Sequence, residues 1–270
     1  MVKSDAIMES GHPARPQHRM KKERLDTLLV ARGLCESREQ AKRLVLAGKV
    51  RGGDRVLDKP STKIDPEAPL EVREPPRFVG RGGFKIEGAL DHFGINPAGC
   101  VCLDVGASTG GFTDCLLQRG ALRVHAIDVG TNQLVWKLRN DPRVISREKF
   151  NARNLTAADL GEPIDLAVMD LSFISLTKVL PAVFTVMAEG ATICCLIKPQ
   201  FELGREDIGA GGIVRDPALH DRAVAKIHDF VTSAHGLEWR GVMESPITGT
   251  DGNREFLAWI GGFGESRHTS

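Results

Sequence analysis

Four charged side chains stand where short apolar runs break off: Lys85 in "GGFKIEGAL", Asp170 closing "PIDLAVMD", Lys198 in "LIKPQFE" and Glu255 in "GNREFLAW". Two ammonium and two carboxylate groups gathered at one point could align a weakly acidic hydroxyl and take its proton. A desolvated lysine beside a second cation loses its own proton more readily, which suits it to that task. A fifth feature is the stretch "LDVGASTGGFTD", residues 103–114. It has the form of a buried strand ending in an acid, a glycine-rich turn and the start of a helix.

The glycine spacing of that turn excludes two common ligands. A dinucleotide site needs G-x-G-x-x-G so that the backbone can approach a pyrophosphate, and Ser108 stands at the middle glycine. A phosphate-binding P-loop needs a lysine after its last glycine, and Phe112 stands there. What remains to hold a ligand is an acid, Asp104, the serine Ser108, and bare backbone at Gly106, Gly110 and Gly111. That set suits a ligand with a cationic amino-acid end and no phosphate, the properties of S-adenosylmethionine. Asp128, ending the strand "RVHAID", is placed to accept hydrogen bonds from ribose hydroxyls.

Positioning these groups requires a sheet. From Val101 onward strand patterns ("VCLDVG", "RVHAIDVG", "PIDLAVMDLSF", "ATICCLIKP") alternate with helical ones. This predicts an α/β fold with a parallel sheet covered on both faces. In "DPALHDRAVAKIHDFVTSAHG", Asp216 caps, Pro217 opens and Gly236 closes a helix. The last two strands, "EWRGVMESPI" and "REFLAWIGGF", have no helix between them. A closing antiparallel hairpin on such a sheet is the arrangement of class I methyltransferases.

Before this region lies a smaller, basic one. Residues 20–64 carry twelve Lys/Arg against six Asp/Glu in a chain of 270 residues whose net charge is +1. That asymmetry points to an anionic partner. Leu25, Leu28 and Leu29 mark a short helix. Ser37 and Gln40 form an expected capping box for a second helix that buries Ala41, Leu44 and Val45 and stops at Gly48. Strands "KVRGGDRVLDK" and "PLEVRE" follow. Arg38, Lys42, Arg43, Lys49 and Arg51 make the candidate face for that partner.

The expected organisation is a disordered tail over 1–19, with Met20 as an alternative start of translation, then the basic domain over 20–75. A linker over 76–84, the catalytic domain over 85–263 and a short tail over 264–270 complete it. The N-terminus has no apolar core and is not a secretory signal, and no apolar run approaches the roughly 20 residues of a membrane span. The six cysteines make no C-x-x-C, so no metal is expected. Their apolar settings suit reduced thiols in a cytoplasmic protein.

"RLDTLLVARGLCESREQAKRLVLAGKVRGGDRV" resembles the S4-type RNA-binding domain, in which the second helix and the following loop track an RNA backbone. The Lys–Asp–Lys–Glu set resembles the tetrad of the FtsJ-like ribose 2′-O-methyltransferases. Together with "RGGFK", "LDVGASTGGFTD", "MDLSFISL", "IKPQFE", "GGIVRD" and "GNREF", these make the chain similar to the TlyA family of rRNA 2′-O-methyltransferases, historically labelled hemolysins. The resemblance implies a seven-stranded Rossmann-like sheet, S-adenosylmethionine as cofactor and ribosomal RNA in the ribosome as partner. It makes Lys85, Asp170, Lys198 and Glu255 catalytic, with Lys198 the proton acceptor. It also puts Gly110, Phe112, Asp128 and Asp170 against the cofactor and Asn151 near its adenine.

Competing readings are weighed by what they would need. Transfer to an exocyclic amine commonly uses Asn/Asp-Pro-Pro-aromatic where this chain has "DLSF", and transfer to cytosine carbon needs an exposed nucleophilic cysteine. A membrane-lytic protein would need a signal, a span or a cationic amphipathic helix. A catalytically silent RNA-binding scaffold would not need the four charges, and an enzyme for small phenols or acids would not need the basic domain.

Overall fold

A computed structural model of the chain describes residues 21–73, 77–249 and 251–264. The expected tail over 1–19, Met20, and all of the tail over 264–270 except Gly264 lie outside the described residues. The chain divides into two units, Met1–Pro75 and Pro76–Ser270.

The first unit comprises β1 (Glu23–Arg24), α1 (Leu25–Ala31), α2 (Arg38–Leu46), β2 (Val50–Gly52), β3 (Arg55–Val56), β4 (Lys63–Ile64) and β5 (Leu70–Val72). Strands order as β3-β2-β5, with β1 and β4 forming a separate pair. The helical spacing of Leu25 and Leu29 on α1 meets that of Ala41 and Val45 on α2, and with Cys35 and Val50 these form a small core. Leu44 lies at the edge of that core, partly buried. Ser37 Oγ accepts from the backbone N–H of Gln40 at 3.2 Å, but Gln40 Oε1 accepts from Glu36 and not from Ser37. The expected capping box is therefore only half formed. Two-residue strands such as β1 and β4 are too short to carry a period, and the sequence pattern did not show them.

The second unit begins with α3 (Gly82–Phe93) and continues through β6 (Val101–Val105), α4 (Gly111–Gln118), β7 (Arg123–Ile127), α5 (Trp136–Arg139), β8 (Val144–Arg147), α6 (Ala157–Leu160), β9 (Ile164–Met169), α7 (Leu180–Phe184), β10 (Met187–Ile197), α8 (Pro199–Glu202), α9 (Pro217–Asp229), β11 (Glu238–Glu244) and β12 (Phe256–Gly261). Its strands order as β11-β12-β10-β9-β6-β7-β8. β6 through β10 pair in parallel, and β12 runs antiparallel to both β10 and β11. This is the seven-stranded sheet that the resemblance implies, closed by the terminal hairpin that the pattern predicts. Strand β8, "VISR", was missed because it is short, polar and at the edge.

Near-continuous apolar strands are buried on both faces, the signature of a helix-covered parallel sheet. Alternate residues go to opposite layers. Leu103, Ala167 and Ile193 join one core cluster, and Cys102, Leu166 and Cys194 join the other. All six cysteines are free thiols, and burial pushes that of Cys194 up to about 12.

The expected linker over 76–84 needs correction. Phe78 is buried, its ring 5.1 Å from that of Phe84. The N–H of Val79 donates to Asp114 at 2.9 Å, and α3 has begun by Gly82. The glycines serve close packing: a Cβ on Gly83 would stand 2.3 Å from the Phe78 ring.

Candidate active site

From β6 the chain winds outward through β7 and β8, then returns to lay β9 and β10 on the other side of β6. Open α/β sheets bind ligands beyond the strand carboxyl ends at such a reversal. Asp170 directly follows β9, Lys198 directly follows β10, and Glu255 directly precedes β12. Because Ile197 pairs with Phe256 and Cys195 with Met169, the register sets these three side by side on one sheet edge. Lys85 arrives on the first turn of α3. Its approach depends on Gly111, where a Cβ would meet the Gly83 nitrogen at 2.9 Å and the Gly80 oxygen at 3.1 Å.

The four charges form two ion pairs. Lys198 Nζ lies 2.5 Å from Asp170 Oδ1 and donates to Ser172 Oγ at 3.0 Å. Lys85 Nζ lies 2.6 Å from Glu255 Oε2, both residues buried. A buried pair of this kind is sensitive to loss of either partner, because the remaining charge is left without compensation. All four residues line one cavity of about 680 Å3, together with Arg81, Gly106, Ser108, Ser172, Phe173, Gln200 and Phe201 among others. A neutral hydroxyl entering it meets ammonium donors and carboxylate acceptors from several directions.

A second cavity of about 390 Å3 shares Gly106, Ser108, Asp170, Ser172 and Phe173 with the first. Its walls include Ile127, Val129, Phe150, Ala152, Leu171 and Ile174, and its charged lining residues are Asp128 and Asp170. Asp128 is held by the loops around it: Ser108 N–H donates to Oδ2 at 2.8 Å and Gly130 N–H to Oδ1 at 2.7 Å. Apolar walls with only acidic charges repel a phosphate. They suit a flat heteroaromatic ring, a diol on Asp128 and a positive charge toward the first cavity, so S-adenosylmethionine matches this lining.

Of the residues expected to hold a cofactor, Gly106, Ser108, Asp128 and Asp170 line these cavities, and five others do not. Asp104 is fully buried, with Oδ2 accepting from Thr113 Oγ1 at 2.6 Å and from Thr113 N–H at 3.0 Å. It ties β6 to α4, and burial raises its carboxyl to about 7 against the opposing Thr113 hydrogen bonds. Gly110 takes φ +97°, and a Cβ there would strike Leu138 and Leu134. Gly111 faces the α3 entry, and Phe112 is a core side chain. Asn151 Oδ1 accepts from Arg153 N–H at 3.2 Å, capping a short turn, while its neighbours Phe150 and Ala152 face the cavity.

The expected RNA-binding face is also partly committed elsewhere. Asp26 is fully buried and binds Arg24 and Arg38, each at 3.0 Å. The Arg24 hydrogen bond, ahead of that from Arg38, holds its carboxyl well below the usual carboxylate range. Arg38 is thus a structural partner. Lys42 pairs with Glu39 at 2.9 Å, and Arg51 donates to the Asp54 carbonyl at 3.1 Å. Arg43 is exposed and Lys49 half-exposed.

Phe173, Gln200 and Arg81 line the first cavity and were not singled out from the sequence. The available signal was position: Phe173 and Gln200 follow strand-ending charges within three residues. Among the described residues no cluster of His, Cys, Asp and Glu could hold a metal, and no helix is long and apolar enough to cross a membrane.

Comparison with known proteins agrees with this architecture. The FtsJ-like methyltransferase family matches residues 78–262, and the S4 domain family matches residues 23–70. The 16S/23S rRNA (cytidine-2′-O)-methyltransferase TlyA of Mycobacterium tuberculosis is 48% identical over 88% of this chain and 89% of its own. Hemolysin A of Brachyspira hyodysenteriae is 44% identical over 87% of this chain and 98% of its own. A solved structure described as a hemolysin from Streptococcus thermophilus superposes with a TM-score of 0.69 at 45% identity, covering 91% of this chain and 90% of that one.

Proposed function

The chain belongs to the FtsJ-like methyltransferase family, and from that membership we propose that it methylates the ribose 2′-hydroxyl of ribosomal RNA, using S-adenosylmethionine. The carrying observation is the pair of lysine–carboxylate contacts in one cavity, opening onto an acid-ended apolar groove. The relative named as a cytidine-2′-O-methyltransferase supports cytidine as the target nucleotide. The first unit holds the RNA, and the second unit carries out transfer, in the cytoplasm where ribosomes are assembled.

When bound, S-adenosylmethionine supplies an electrophilic methyl group on a sulfonium. Asp128 would accept hydrogen bonds from the hydroxyls of the cofactor's ribose, and the apolar walls around Phe150 and Ala152 would hold its adenine. Lys85, fixed by Glu255, donates toward the substrate oxygen and holds it in line. Lys198, oriented by Asp170 and Ser172, would receive the 2′-hydroxyl proton at Nζ as the oxygen takes the methyl group, the carbon–sulfur bond breaking with its electron pair left on the sulfur.

Calorimetry with S-adenosylmethionine tests the groove. Asp128→Ala is expected to weaken binding by roughly 1.5–3 kcal/mol, the scale of hydrogen bonds to a charged group. Unchanged affinity would remove Asp128 from the cofactor site.

A further inference from the structure

The two segments that leave the sheet carrying Asp170 and Lys198 are joined to each other at successive points. Nearest the strands, Lys198 Nζ meets Asp170 and Ser172. Further out, the rings of Phe173 and Phe201 lie 5.1 Å apart. Furthest out stands Glu202, the last residue of α8, which is buried. Its Oε1 accepts from the Leu176 N–H at 2.8 Å, and its Oε2 accepts from the Ser175 hydroxyl at 2.5 Å. Lys226 on α9 supplies the countercharge that a buried carboxylate needs, with Nζ 3.2 Å from Oε2 and 2.6 Å from the Glu202 carbonyl oxygen. Glu202, Ser175 and Lys226 line neither of the two cavities.

The backbone between these ties needs holding. Phe173 takes φ +63°, in the left-handed region that a bulky residue rarely adopts, and its ring is exposed. Such a conformation persists where its surroundings over-determine it. Here the segment is fixed before the bend by Asp170 and after it by the Ser175 and Leu176 contacts to Glu202. Ser172 and Phe173 line both cavities, so fixing the bend fixes a wall common to the two. We propose that Glu202 is a positioning residue, which ties the segment after β9 to α8 and so sets the Lys198–Asp170 pair against the hydroxyl to be methylated. This rests on the reading of the site as a ribose 2′-O-methyltransferase. Glu202 touches no reactant and acts through Lys198. A one-turn helix has little stability of its own, and Glu202 anchors this one to the segment after β9 and to α9.

The test is a double-mutant cycle in the full-length chain. It reads the single-turnover rate of methyl transfer from S-adenosylmethionine to the rRNA of unmodified ribosomal subunits. Glu202→Ala is expected to lower that rate about 10–100-fold, the scale of a small misplacement of reacting groups, with affinity for the subunit little changed. Added to Lys198→Ala, the same substitution should cost little more, because the tie acts through the lysine. Ser175→Ala leaves the Glu202–Lys226 pair in place and should lower the rate in the same sense by a smaller factor, which keeps the test open should Glu202→Ala lower Tm. Full rates in both single variants, or an equal further loss in the Lys198→Ala background, would overturn the assignment and leave Glu202 as a support of the fold alone. A wild-type chain that leaves the rRNA ribose unmethylated would overturn the functional reading, and this assignment with it.

Discussion

Lys198 carries the chemical proposal, and its geometry makes the role testable. Its ammonium group is held between Asp170 Oδ1 at 2.5 Å and Ser172 Oγ at 3.0 Å, at the end of a central strand. If it takes the ribose proton, Lys198→Ala lowers the single-turnover rate by about 10²–10⁴-fold, the range for a general base, with substrate and cofactor affinities little changed. Lys198→Arg fails nearly as badly, because guanidinium stays protonated and cannot accept. Substantial rescue by arginine would instead show that charge alone orients the hydroxyl. At this scale the sequence was informative where a charge interrupts an apolar strand, as at Asp170, Lys198 and Glu255. At Asp104 and Phe112 it named residues whose side chains turn into the fold, because a motif does not say which way a side chain points. At Gly110 the glycine also serves packing, since a Cβ there would meet Leu134 and Leu138.

At the scale of elements, the site depends on how α3 and α4 are tied to the sheet. Asp104 joins β6 to Thr113 on α4, and its carboxyl sits at about 7 instead of the ordinary 3.8 because it is desolvated. Between those values the folded protein keeps a proton that the unfolded chain has released. The group's favourable contribution is complete below about pH 4 and is lost as pH rises through about 7. Asp104→Asn cannot ionise and abolishes this dependence. Urea unfolding from pH 5 to pH 8 should show wild-type stability declining relative to the variant, by up to about 1.4 kcal/mol per pH unit within the window. A difference constant with pH would show that Asp104 stays ionised in the fold. The elements themselves were largely legible, since strands buried on both faces leave continuous apolar runs. The α3 entry was not. "REPPRFVGRGGFK" has the proline–glycine composition of a connector, yet its glycines allow backbone and the Phe78 ring to approach closely.

At the scale of the whole molecule, charge separates two tasks. The basic first unit, which matches the S4 domain family, holds the RNA in the proposed reading, but its structure redistributes the work among its cations. Arg38 is engaged by buried Asp26, so its loss would unsettle the unit as well as any RNA contact. Exposed Arg43 and half-exposed Lys49 give the cleaner test. Arg43→Ala with Lys49→Ala is expected to flatten the dependence of log affinity for rRNA on log salt by about 0.7–0.9 for each phosphate contact removed. Cofactor affinity should not change. An unaltered slope would mean that these two cations are merely solvated. Charge asymmetry was visible in the sequence because it is a sum over residues. Which cations are free for a partner was not, because that depends on a buried acid twelve positions from Arg38.

The most direct measurement of the central claim is the atom that receives the methyl group. Ribosomal subunits lacking the modification are incubated with the full chain and isotope-labelled S-adenosylmethionine, and the rRNA is digested to nucleosides for mass spectrometry. The account predicts label on the ribose of a 2′-O-methylated nucleoside, cytidine in the proposed case, and its loss with Lys198→Ala. Label on a base, or ribose label undiminished in Lys198→Ala, would contradict it.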